Sequence, residues 1–76
     1  MSLRLPRITA KELLAALHHD GWTSYRQRGS HLTLVHSAKP GAVVLPLHAG
    51  RIIKPKTLQT ILDQAGLSAD ELRKLL

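Results

Sequence analysis

The chain has 76 residues, with eleven Lys and Arg against five Asp and Glu, a formal charge of +6 at pH 7 before its five histidines are counted. This length predicts one small domain over residues 1–76, in which nearly every apolar residue is needed for the core, because such a chain buries only about 60% of the surface it exposes when unfolded. The lack of cysteine excludes a disulfide scaffold, a Cys-ligated zinc site and thiol catalysis.

No apolar run approaches the roughly 20 residues of a membrane span. Residues 1–6 lack the apolar stretch of a secretory signal. The expectation is a cytoplasmic protein with no membrane association. A positive field this strong on so small a body favours a polyanion or an acidic protein as partner. With only Trp22 and Tyr25 as aromatic residues, a broad base-stacking platform is not expected.

A first helix is predicted to open at Thr9, which forms a capping box with Glu12. Ala10, Leu13, Leu14 and Leu17 follow at i, i+3, i+4 and i+7, one apolar helix face. Gly21 supplies the left-handed stop, with His18 and His19 in the last turn serving capping and solvation. Three strands are then predicted: 22–27, 31–36 after an Arg28-Gly29-Ser30 turn, and 42–45, ended by Pro46. Their short connections favour an antiparallel meander.

Strand alternation places Leu32 and Leu34 on one face, with Val43 and Leu45, and puts His31 and Thr33 on the other, with Val35 and Val44. In the first strand, alternation alone does not decide between Trp22 and Tyr25 as the inward residue. A second helix is predicted from Pro55, with Leu58, Ile61, Leu62 and Ala65 inward and Gly66 as its stop. Ser68 and Glu71 form a second capping box that opens a short last helix carrying Leu72, Leu75 and Leu76. The fold class is α+β: helix, three-stranded antiparallel sheet, helix, in two layers with one sheet face open, plus a short C-terminal helix over 68–76.

Three clusters carry chemistry. In Arg26-Gln27-Arg28-Gly29-Ser30-His31, Gly29 permits close approach of a phosphate, the arginines hold phosphate oxygens through forked hydrogen bonds, and a histidine moves protons near neutral pH. The alternative is a basic hairpin with an ordinary solvated histidine. Lys54-Pro55-Lys56 puts lysines where acidic residues would stabilise a helix start, against the helix dipole, an arrangement that suits an anion. In Pro46-Leu47-His48-Ala49-Gly50-Arg51, His48 is a second proton-transfer candidate or a loop histidine with a structural hydrogen bond. His36 is expected to be structural. No metal site is expected, since no strand histidine has an acidic residue or cysteine nearby. Ser30 lacks an acidic residue to orient a histidine for a serine triad.

The strings Asp20-Gly21-Trp22, Arg26-Gln27-Arg28-Gly29-Ser30-His31, Val43-Val44-Leu45-Pro46-Leu47-His48 and Thr57-Leu58-Gln59-Thr60-Ile61-Leu62-Asp63-Gln64-Ala65-Gly66-Leu67, in this order and spacing, resemble the HicA toxin family. These are small ribonucleases of bacterial and archaeal HicA–HicB toxin–antitoxin pairs, and the similarity runs from about Thr9 to Leu67. The resemblance implies a fold like the double-stranded-RNA-binding domain, RNA cleavage dependent on the histidine of Gly-Ser-His, which is His31, and inhibition by a HicB-like antitoxin that covers the site. Family members often carry glycine before the threonine that opens helix two, where this chain has Lys56.

The expectation is a metal-independent endoribonuclease acting on mRNA without a cofactor. His31 is its general acid/base, Ser30 and His48 are candidates for support, and Arg26, Arg28, Gly29, Lys54 and Lys56 are candidates for phosphate contact. The alternatives are a non-catalytic double-stranded-RNA-binding module on the same face, and an interaction protein whose open face docks an acidic partner.

Overall fold

A computed structural model describes residues 4–76; the first three residues of the opening segment read above lie outside the described residues. The elements run α1 Ala10–His19, β1 Trp22–Arg28, β2 His31–His36, β3 Ala42–Pro46, α2 Pro55–Ala65 and α3 Ala69–Leu75. The strands form one antiparallel sheet in the order β1-β2-β3. This is the helix, three-stranded sheet, helix order that the hydrophobic periods predict, with the extra C-terminal helix in place.

Both predicted capping boxes form. The Thr9 hydroxyl accepts from the Glu12 N–H while the Glu12 carboxylate accepts from the Thr9 N–H, and Ser68 with Glu71 repeats the exchange. Each box satisfies two backbone donors that a helix start leaves orphaned. Helix α2 has no such cap: Lys54 is its N-cap residue and makes no side-chain cap bond, Pro55 fills the first helical position, and the first turn holds no acid. Its other end closes on Gly66, left-handed at φ 66°.

One core joins helices and sheet. Leu13, Leu17, Leu34, Val43, Leu45, Leu58, Leu62 and Leu72 are fully buried within it. In α1 the apolar face sits slightly round from the expected one: Ala16 is buried and Leu14 only half-buried. Strand β3 runs one residue further than predicted and includes Pro46. The free edge of β3 is blunted in two ways. The Gln64 side-chain carbonyl accepts the Val44 N–H at 3.1 Å, and Pro46 carries no N–H at all.

A register shift between Ser24 and Arg26 settles the first strand. Trp22 pairs with His36 on the core face and is 1% exposed, whereas Tyr25 is the extra residue of the bulge and stands 67% exposed. A bulge inserts one residue and so shifts the alternation after it. As a result Arg26 and Arg28, opposite Thr33 and His31, share the open face with them.

Three histidines hold the scaffold. His36 donates from Nε2 to the Asp20 carbonyl at 2.6 Å, accepts the Ala38 N–H on Nδ1 at 2.9 Å and packs edge-on to Trp22 at 5.2 Å. The neutral Nε2–H tautomer satisfies both bonds together. His19 Nδ1 meets the Leu75 carbonyl at 3.1 Å, tying α1 to α3, and His18 Nε2 lies 3.4 Å from the Ser24 hydroxyl. Leu72 of α3 completes the core, Leu75 packs against its rim and Leu76 stays 53% exposed.

Candidate functional site

The β1–β2 hairpin decides where His31 stands. Its loop is only Gly29-Ser30, with Arg28 and His31 as the flanking pair. Gly29 has φ 55° and no non-glycine residue among those described has positive φ, the sign pattern of a type II′ turn, which requires glycine first. A tight turn fixes the register, so His31 becomes the first residue of β2 rather than a loop residue. Its neighbours in the sheet are Arg28 on one side and Pro46 on the other. Leu32 and Leu34 anchor the opposite face of β2 in the core, and alternation holds the His31 ring outward, where it is exposed. Among the described residues the ring has no hydrogen-bond partner, and the same is true of His48; the other three rings are all engaged.

The sheet brings Arg26 and Arg28 onto the face of His31. Arg26 lies over the Tyr25 ring, 5.9 Å from its centroid, a cation–π contact that holds the guanidinium near the surface. Gly29 has no heavy atom within 4 Å of where a Cβ would stand, so the space above the turn is open. Ser30 is exposed, and its backbone carbonyl accepts the Leu47 N–H at 2.6 Å. That bond lashes the hairpin to the loop after β3 and brings His48 to the same end of the sheet.

That loop reverses in a turn closed by the Arg51 N–H on the His48 carbonyl at 3.1 Å, with Gly50 at φ 73° in the position a type II turn reserves for glycine. His48 and Arg51 therefore stand at the two ends of one turn. A cleft follows, with a volume of about 280 Å³, whose polar lining comes from His48, Arg51, Lys54 and Thr57. The structure thus joins His48 and Lys54, which the sequence analysis had in separate clusters, and adds Arg51. Lys56 is exposed in the first turn of α2 but does not line the cleft.

Each of the five side-chain carboxylates is committed elsewhere: Glu12 and Glu71 in capping boxes, Asp20 to Lys39 and the Trp22 indole N–H, Asp63 to Gln59 and Asp70 to Arg73. The two Ser68 hydrogen bonds hold the Glu71 carboxyl below its ordinary range. Among the described residues, Arg26, Arg28, Arg51, Lys54 and Lys56 make no ion pair. No group of three His, Cys, Asp or Glu among the described residues is arranged to hold a metal ion, and no helix there is long and apolar enough to cross a membrane.

Fold and site together define a small α+β domain in which Arg26 and Arg28 share the open sheet face with the unengaged His31, and His48, Arg51 and Lys54 line a cleft beside Pro46, the cross-strand neighbour of His31. The family model described as the HicA toxin of bacterial toxin–antitoxin matches residues 10–67. The chain belongs to the HicA toxin family, the toxin half of toxin–antitoxin pairs, and an antitoxin partner goes with that membership. No curated protein matches it.

Proposed function

We propose that the chain is a metal-independent endoribonuclease of mRNA with His31 as its general acid/base. The observation that carries this reading is a histidine ring held outward by a two-residue turn, free of hydrogen bonds and flanked by arginines that make no ion pair among the described residues. RNA supplies its own nucleophile. The 2′-oxygen attacks the adjacent phosphorus while His31 takes its proton, the P–O5′ bond breaks, and the departing 5′-oxygen takes up a proton. Such positioned proton transfer contributes about 10² to 10⁴-fold. His48, at the same end of the sheet, is the candidate proton donor.

Arg26 and Arg28 neutralise the phosphate and its neighbours, Gly29 leaves room for the backbone, and Lys54 and Lys56 extend the track. Ser30, beside His31, supports the turn that positions it. A HicB-like antitoxin masks this face, acidic groups meeting the same cations. The whole chain acts as a single domain in the cytoplasm.

The test is purified chain on a defined mRNA, alongside His31→Ala and with or without a chelator. Cleavage that persists with chelator and falls at least 100-fold in His31→Ala is expected. Undiminished cleavage by His31→Ala removes His31 from the mechanism. Intact RNA that is nonetheless bound favours the non-catalytic binding module.

A further inference from the structure

The cleft behind His31 has walls of two kinds. One is polar, with His48 beside the cations Arg51 and Lys54, none of them paired with a carboxylate among the described residues. The other is apolar: Pro46, Ile52 and Ile53. Ile52 is 44% exposed, one of few large apolar residues left open to solvent. A surface built only to hold a phosphate chain has no use for an apolar wall, and a core cavity would not carry two cations and a histidine.

The cleft is also held in shape. The Ile53 N–H donates to the Ile8 carbonyl at 2.8 Å, Thr9 and Ile52 form an isolated antiparallel bridge, and Leu47 N–H is bonded to Ser30. The segment from 47 to 54 is thus pinned at both ends, to the N-terminal strap and to the hairpin that carries His31. Pro46 is the physical link: it lines the cleft and is the direct cross-strand neighbour of His31.

We infer that this cleft binds one unpaired nucleotide of the RNA, next to the cleaved bond, and thereby sets which base stands there. The inference rests on the proposed ribonuclease reading for its position in the substrate, but not for the binding itself. The base lies against Ile52, Pro46 and Ile53, and the nucleotide's phosphate meets Arg51, Lys54 and His48. At about 280 Å³ the cleft falls just below the roughly 300–1,000 Å³ common for small-molecule sites, which suits a single nucleotide. A base stacked and paired in a duplex cannot enter such a cleft, so the RNA is single-stranded at this point.

Two measurements test this. In the first, nucleoside 3′-monophosphates are titrated into the chain and followed by amide chemical shifts. Saturable shifts at Arg51, Ile52, Ile53 and Thr57 are expected, with inorganic phosphate alone and the free nucleosides alone each much weaker. Loss of about tenfold in affinity is expected in Arg51→Ala, the equivalent of one charge-assisted hydrogen bond. Phosphate binding as tightly as the nucleotides would reduce the cleft to an anion site and overturn the inference, as would shifts confined to other residues. In the second, cleavage positions on a defined mRNA are mapped for the wild-type chain, Arg51→Ala and Ile52→Ser. A changed base preference at one position beside the cut is expected. Unchanged positions and relative rates in both variants overturn the inference while leaving the ribonuclease reading intact. If the wild-type chain cleaves nothing, the ribonuclease reading fails and the nucleotide titration still decides the cleft.

Discussion

His31 and His36 stand at opposite ends of the same strand, and substituting each with alanine is expected to give opposite phenotypes. Removing the His36 ring breaks the bond to the Asp20 carbonyl, leaves the Ala38 N–H without its acceptor and strips an edge-on partner from Trp22. A hydrogen bond contributes about 1 kcal/mol net and an aromatic pair about 0.5–1.5 kcal/mol. His36→Ala should therefore cost about 2.5–3.5 kcal/mol. For a domain of this size each kcal/mol lowers Tm by roughly 4–8 °C, so a drop of roughly 10–28 °C is expected. His31 is exposed and makes no hydrogen bond among the described residues, so His31→Ala should stay within about 0.5 kcal/mol of the parent. The assay pairs thermal melts with RNA cleavage measured well below both melting temperatures. There His36→Ala should retain cleavage and His31→Ala should lose it. Comparable destabilisation by the two variants, or loss of cleavage by folded His36→Ala, would refute the division of the histidines into scaffold and site.

Three further outcomes follow from the same geometry. In a His31→Ala background that binds without cutting, adding Arg28→Ala should lower the slope of log K against log salt by about 0.7 for single-stranded RNA, one lost phosphate contact; an unchanged slope returns Arg28 to inert surface. Gly21 sits at φ 99°, and a Cβ there would lie 2.7 Å from the His36 Nε2, whereas Gly66 at φ 66° has nothing within 4 Å of such an atom. Gly21→Ala should therefore cost at least about 1 kcal/mol more than Gly66→Ala, which carries only the left-handed backbone penalty, and equal denaturation midpoints would show that the His36 ring moves aside freely. The Glu71 carboxyl is lowered by its bonds to Ser68, so its contribution is fully present above the unfolded glutamate value and is lost as pH falls through the lower folded one. The melting temperature of the parent should approach that of Glu71→Gln as pH drops below about 4.5, and parallel profiles through that range would contradict this.

The helices and strands were legible because each rests on local physics. Thr9 with Glu12, Ser68 with Glu71 and Pro55 mark helix starts through groups only a few residues apart, and Leu32 with Leu34 fixes both faces of β2 at once. The outward stance of His31 was legible for the same reason: it is one residue from a core leucine and one turn from Gly29. Trp22 and Tyr25 were not separable, because a bulge is an inserted residue that no alternation count reveals until the partner strand is placed. Leu14 and Ala16 exchanged roles because the helix face that meets the sheet is chosen by the sheet.

The cleft shows most plainly where reading along the chain stops. Its walls come from Ala10, from Pro46 and His48, and from residues 51–54 and 57, brought together by bonds between Ile53 and Ile8 and between Leu47 and Ser30. Arg51 looked like one basic residue beside a loop glycine; the turn at Gly50 makes it the partner of His48 across a shared opening. Likewise Asp20 and Lys39, nineteen positions apart, lock the end of α1 beside Trp22 with no local signal of either. Such non-local pairings position the groups that the proposed proton transfer and base selection require, while the identity of those groups was already visible in the string of residues. The stance of the His31 ring is therefore set by a two-residue turn, and what stands beside it by contacts across the whole fold.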